Sequence, residues 1–169
     1  MASCTRSLAL LLAVLAAAST AADSAGGVEG CGFSGKVRKI TVQNLCNHDL
    51  PLVVTPHAGS GRLFGEGFVL PRGRHQSFLV CSWAGQLAAA ASPPVELRLG
   101  VDGGAWYSAD FTQLVPVHVT VTPHTDGGRL EGQCPVVGCE AGHGRCSRHI
   151  AAGNDCRNVD ELKIIFFSA

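Results

Sequence analysis

The chain has 169 residues, with 13 Lys+Arg against 13 Asp+Glu and charged residues at only 15% of the whole. A formal net charge of zero leaves no long-range field to draw in a polyanion, which excludes a nucleic-acid partner. Twenty-one glycines, few aromatics and many Val, Thr and Leu in short runs favour strands joined by tight turns over long helices.

The first residues read as a secretory leader. Arg6 is the only charged side chain in residues 1–7, and residues 8–18 form an apolar run shorter than the ~20 residues a membrane-spanning helix needs. Small residues at 18–22 follow, as cleavage requires. Residues 1–22 are therefore predicted to be a signal peptide and residues 23–169 one domain. No second stretch is apolar enough to serve as an integral membrane segment, so a soluble, secreted, extracellular protein is expected.

Regular structure is expected from about Val37. Residues 39–43 alternate apolar and polar, which puts Ile40 and Val42 on one face of a strand, and residues 44–49 turn the chain. A second strand is predicted over 50–55, where Pro51 restricts it to a strand start or an edge, followed by a Gly/Ser turn at 57–61. Residues 64–70 and 75–81, separated by Pro71-Arg72-Gly73, read as a hairpin. Residues 84–92 offer the one place for a short helix, limited by Gly85 and by Pro93-Pro94. Residues 95–99 alternate again, 101–104 supply a hairpin reversal and 106–111 the returning strand. Over 115–122, Val117, Val119 and Val121 face one way while His118, Thr120 and Thr122 face the other. From Gly127 the chain becomes Cys- and Gly-rich with little periodicity, and residues 162–167 form a last apolar strand docked into the main sheet. About eight short strands with turns between them predict an all-β fold, an antiparallel β-sandwich with a small disulfide-rich, irregular segment.

Cys4 leaves with the leader, so Cys31, Cys46, Cys81, Cys134, Cys139, Cys146 and Cys156 remain. In an oxidising compartment these give up to three disulfides and one cysteine over, with connectivity open from spacing alone. A zinc site within residues 134–156 is disfavoured, because the gaps lack the short Cys-x-x-Cys pairs of zinc ribbons. His48, His57, His75, His118, His124, His143 and His149 are scattered with no spacing that converges on a metal, so neither metal nor cofactor is expected. No local signature supports a Ser-His-Asp or Cys-His nucleophile, and Gly59-Ser60-Gly61-Arg62 lacks the Gly-Lys-Ser/Thr ending of a phosphate loop.

Several segments match a family in the same order. Ile40-Thr41-Val42-Gln43-Asn44-Leu45-Cys46 resembles the opening strand and Asn-x-Cys of thaumatin-like proteins. Pro94-Val95-Glu96-Leu97, Trp106-Tyr107-Ser108 and Val115-Pro116-Val117 with Val121-Thr122-Pro123 are similar to its central segments. Cys134-Pro135-Val136-Val137-Gly138-Cys139-Glu140-Ala141 and Leu162-Lys163-Ile164-Ile165-Phe166 continue the match. The family's last strand ends Phe-Cys-Pro, and its cysteine pairs with that of the opening Asn-x-Cys; here Phe167 stands at that position, followed by Ser168 and Ala169. The resemblance thus implies a free thiol at Cys46, unless it pairs with Cys31, and makes Cys31, Cys81, Cys134, Cys139, Cys146 and Cys156 the disulfide candidates. Phe167→Cys would then restore the missing bridge. Little of the family's loop-rich second domain remains, which makes residues 127–160 its reduced, Cys-rich remnant.

The same resemblance implies a pathogenesis-related defence protein of the apoplast that binds glycan, cell-wall or membrane-associated targets. It places Glu96 at the glutamate of the family's acidic cleft and Asp102 and Asp110 near its aspartates, with Gln113 where a further aspartate is expected. Glu96 and Asp110 are the candidate catalytic pair for a weak β-1,3-glucan hydrolase, which needs two carboxylates roughly 5–9.5 Å apart. The missing acid and the shortened second domain argue against cleavage. The residues add their own reading: Trp106 and Tyr107 offer aromatic faces to sugars, and Glu96 and Arg98, two apart on one strand, share a face. The expected binding set is Glu96, Arg98, Asp102, Trp106, Tyr107 and Asp110. Asp102, before Gly103-Gly104, equally suits a hairpin turn. The leading expectation is a non-enzymatic glycan binder, with a weak hydrolase or a degenerate member without activity as alternatives. It is expected to be a monomer, or a thiol-linked dimer through Cys46.

Overall fold

The computed structural model describes residues 31, 35–90, 92–109, 116–139, 146–147 and 155–168. The predicted leader at 1–22, Asp110, Gln113, His143, His149 and the side chain of Cys146 lie outside the described residues. Every regular element among the described residues is a strand: β1 (Arg38–Asn44), β2 (Leu50–Pro56), β3 (Val69–Leu70), β4 (His75–Val80), β5 (Trp83–Ala89), β6 (Val95–Leu99), β7 (Ala105–Ala109), β8 (Val117–His124), β9 (Val137–Cys139), β10 (Cys146–Ser147) and β11 (Glu161–Ser168). They form a six-stranded sheet, β10-β9-β8-β11-β1-β4, and a five-stranded sheet, β3-β2-β5-β6-β7. This is an all-β sandwich.

Each sheet buries alternate side chains, as the period of two requires. Ile40, Val42, Val119, Val121, Leu162, Ile164 and Phe166 meet Leu52, Leu87, Val95, Leu97, Leu99 and Tyr107 in one core. Strand β11 lies inside the larger sheet, antiparallel to β8 and parallel to β1, with Ile40 opposite Leu162 and Val42 opposite Ile164. The β1–β11 pair is thus a parallel exception in a mainly antiparallel structure.

Two local expectations are corrected. The described residues of 84–92 hold no helix: residues 83–89 are strand β5, with Trp83, Gly85, Leu87 and Ala89 turned inward. Pairing with β2 and β6 on both sides overrides the alanine content. Gly85 permits this, since a Cβ there would lie 2.6 Å from the Thr55 carbonyl oxygen. Nor do residues 64–70 and 75–81 form a hairpin. β3 pairs with β2 in one sheet and β4 with β1 in the other, so Pro71-Arg72-Gly73 is a crossover. The buried Asn44 side chain fixes it, its amide donating to the Leu70 and His48 carbonyls at 2.9 Å each. Phe64, Phe68 and Phe78 then pack together, with ring centroids 4.6 to 6.2 Å apart.

Disulfides join Cys31 to Cys81 and Cys134 to Cys156, and Cys139 is also disulfide-bonded. These bridges indicate an oxidising environment. Among the described residues no helix is long and apolar enough to cross a membrane.

Cys46 carries a free thiol, 2% exposed, and burial pushes its pKa up. A buried, protonated thiol is a poor nucleophile, which weighs against a thiol-linked dimer. Its hydrogen-bond partner is Ser168, not Phe167. Phe167 turns to the outer face, where its ring meets His118 edge-on with centroids 5.6 Å apart. Alternation along β11 explains the correction: Phe166 and Ser168 share one face and Phe167 takes the other.

Candidate functional site

The outer face of the five-stranded sheet collects most of the candidate residues. Leu97 and Leu99 on β6 and Tyr107 and Ala109 on β7 fill the core, so Glu96, Arg98, Trp106 and Ser108 must point outward. Strand register aligns them in two rows. Thr55, Gln86, Glu96 and Ser108 lie side by side across β2, β5, β6 and β7, and Ala84, Arg98 and Trp106 form the next row.

Within these rows Arg98 bridges its neighbours. Its Nη2 donates to Glu96 Oε1 at 3.2 Å, and its guanidinium carbon lies 5.3 Å from the Trp106 ring centroid. His57 completes the cluster, with Nε2 3.9 Å from Glu96 Oε1 and its backbone N–H donating to the Ala84 carbonyl at 2.9 Å. Neither contact contributes much stability: a half-exposed ion pair is worth up to about 1 kcal/mol and an exposed cation–π contact about 0.5–1 kcal/mol. Their effect is positional. The guanidinium lies over the indole ring and is tied to the carboxylate, which gathers an aromatic group, a donor and an acceptor on the outer face of the sheet.

Other candidates lie elsewhere. Tyr107 is fully buried and its hydroxyl donates to the Pro135 carbonyl at 2.6 Å, so it is a core residue with no face for a sugar. Two consecutive residues on a strand cannot both face solvent, and only Trp106 does so here. Asp102 sits in the β6–β7 turn, six positions beyond Glu96. Its carboxylate accepts the Gly104 N–H at 3.0 Å, and that bond, followed by one to its own amide, holds its pKa below the ordinary carboxylate value. Gly103 in this turn has a φ of 84°, as a tight reversal demands. Asp110, the expected partner of Glu96 in the candidate catalytic pair, lies outside the described residues.

Thr55 and Gln86 carry no signal in the sequence, while Ser108 enters it only within the Trp106-Tyr107-Ser108 match and His57 only within a turn and among the scattered histidines. Their convergence depends on strand register, which no local pattern in the sequence reveals. Comparison of the chain with protein-family models and with curated proteins found no match.

Proposed function

We propose that the protein is a secreted, non-enzymatic glycan-binding protein of the defence type, and that the outer face of its five-stranded sheet contacts cell-wall polysaccharide. The observation that carries this reading is the contiguous arrangement of Glu96, Arg98 and Trp106 on the solvent-facing side of the sheet. An indole stacks on the C–H face of a pyranose, while a fixed guanidinium and carboxylate donate to and accept from its vicinal hydroxyls. An open sheet face suits a polymer chain better than a small molecule. The leader-like residues 1–22 and the disulfides support an extracellular site of action. The ordered segment matches support kinship with thaumatin-like, pathogenesis-related proteins, and that kinship supplies β-1,3-glucan as the first ligand to try.

Binding without cleavage is favoured because, among the described residues, the charged groups beside Glu96 are Arg98 and His57, and Gln113 stands where the resemblance expects an acid, whereas a glycosidase sets a second carboxylate across the scissile bond. The test is sedimentation with insoluble β-1,3-glucan, with reducing sugar measured in the supernatant. The protein should sediment and release no sugar. Trp106→Ala should weaken binding about tenfold, the equivalent of 1.4 kcal/mol of lost stacking. Sugar release abolished by Glu96→Gln would instead establish the weak hydrolase, and protein left wholly in the supernatant would refute glucan as the ligand.

A further inference from the structure

A second site lies at one end of the sandwich, away from Trp106. The start of β1, the β6–β7 turn, the loop after β8 and the approach to β11 enclose a cavity of about 500 Å³ there, a volume typical of small-molecule sites. Arg38 lines it and is only 5% exposed. The guanidinium donates through Nε to the Val159 carbonyl and through Nη1 to the Lys36 carbonyl, both at 3.1 Å. These acceptors are neutral. Among the described residues no carboxylate lies within ion-pair distance of Arg38, and Nη2 has no hydrogen-bond acceptor. Asp102 on the facing turn attracts the guanidinium, but no hydrogen bond from Arg38 reaches a charged acceptor, so the cavity offers Nη2 as an open donor to an anionic oxygen.

The surrounding charges narrow what can supply it. The Lys36 ammonium is held by Asp160 at 2.6 Å, and Lys39 reaches Asp126 at 3.6 Å, so both lysines already face carboxylates. Asp102 and Asp126 also line the cavity and would repel a multiply charged anion such as phosphate. The same two carboxylates accept hydroxyl hydrogens well, and Thr125 and Asn158 add neutral polar groups. A single carboxylate carried on a polyhydroxylated body meets all of these conditions. We infer that the cavity between Arg38, Asp102 and Asp126 is a binding site for a uronate sugar, with its carboxylate on the open Nη2 of Arg38 and its hydroxyls on the two aspartates.

The experiment is a calorimetric titration of the unaltered protein with D-galacturonate, its methyl ester, D-galactose and inorganic phosphate, paired with NMR observation of the arginine Nε–H signals. Galacturonate should bind at least about tenfold more tightly than the ester or galactose, the value of one charge-assisted pair, and should shift the Arg38 signal. Equal affinities, an unmoved Arg38 signal or tighter binding of phosphate would each overturn the assignment. Arg38→Lys should abolish the preference for the acid over the ester; if that variant does not fold, the ligand series on the unaltered protein decides. Because this site is separate from the Trp106 face, galacturonate should not release the protein from insoluble β-1,3-glucan, and release would place the uronate on the sheet face instead.

Discussion

Replacing Ser168 with cysteine should close a further disulfide to Cys46. The parallel register sets Asn44 opposite Phe166, and the Leu45 N–H donates to the Phe166 carbonyl at 2.7 Å, so the next residues on each strand run on as neighbours. The Cys46 thiol already hydrogen-bonds Ser168. In the unfolded chain the two positions are about 120 residues apart, and the Cys31–Cys81 and Cys134–Cys156 bridges shorten that path to roughly 80. Closing a loop of that size is worth about 4.5 kcal/mol in the chain-entropy model, of which about 2–4 kcal/mol is commonly realised. At roughly 3–5 °C per kcal/mol for a domain of this size, Tm should rise by roughly 6–20 °C. Differential scanning calorimetry measures the shift, and thiol labelling in denaturant should find no free cysteine in the variant. Phe167→Cys, on the opposite face of β11, is the control and should leave two thiols. A Ser168→Cys protein with two free thiols and an unchanged Tm, beside a bridged Phe167→Cys protein, would refute the register.

Tyr107→Phe should cost about 1–2 kcal/mol in urea denaturation by leaving the Pro135 carbonyl without its donor, while glucan sedimentation stays unchanged. Gly138→Ala should cost at least about 2 kcal/mol, since Gly138 has a φ of 129° and a Cβ there would lie 2.2 Å from the Val119 carbonyl oxygen, forcing β9 off β8. Asp160 is held below its ordinary value of 3.8, chiefly by the Lys36 ammonium and then by the Asp126 N–H. A carboxylate lowered in the folded state contributes fully above its unfolded pKa and loses that contribution as pH falls through its folded pKa. Stability should therefore decline below about pH 3.8 more steeply in the native protein than in Asp160→Asn, as followed by thermal melts across acid pH.

Much of the sandwich is legible in the sequence because its strands alternate cleanly. Val117, Val119 and Val121 declare β8, and residues 95–99 with the Gly103-Gly104 reversal declare the β6–β7 hairpin. What local pattern does not encode is partnership. Pro71-Arg72-Gly73 looks like a hairpin turn, and only the long-range bonds from Asn44 show that it passes between sheets. The same limit applies to function. Arg98 and Trp106 were accessible from spacing and residue type and Glu96 through the family resemblance, but Thr55 and Gln86 join them only through the pairing of β2, β5 and β6. Alternation applied strictly to residues 106 and 107 would have removed Tyr107 from the binding set and left Trp106 in it. The Arg38 cavity had no sequence signal, being assembled from four separate chain segments.

The two tryptophans permit a direct test of the sheet-face assignment. Trp83 is buried with its indole N–H donating to the Gly61 carbonyl at 2.8 Å, whereas Trp106 lies on the outer face beneath Arg98. In protein labelled with ¹⁵N-tryptophan and titrated with a soluble β-1,3-gluco-oligosaccharide, the Trp106 indole resonance should shift with a saturable dependence while that of Trp83 stays fixed. A Trp106 resonance that remains unmoved through saturating oligosaccharide would contradict glucan binding at this face.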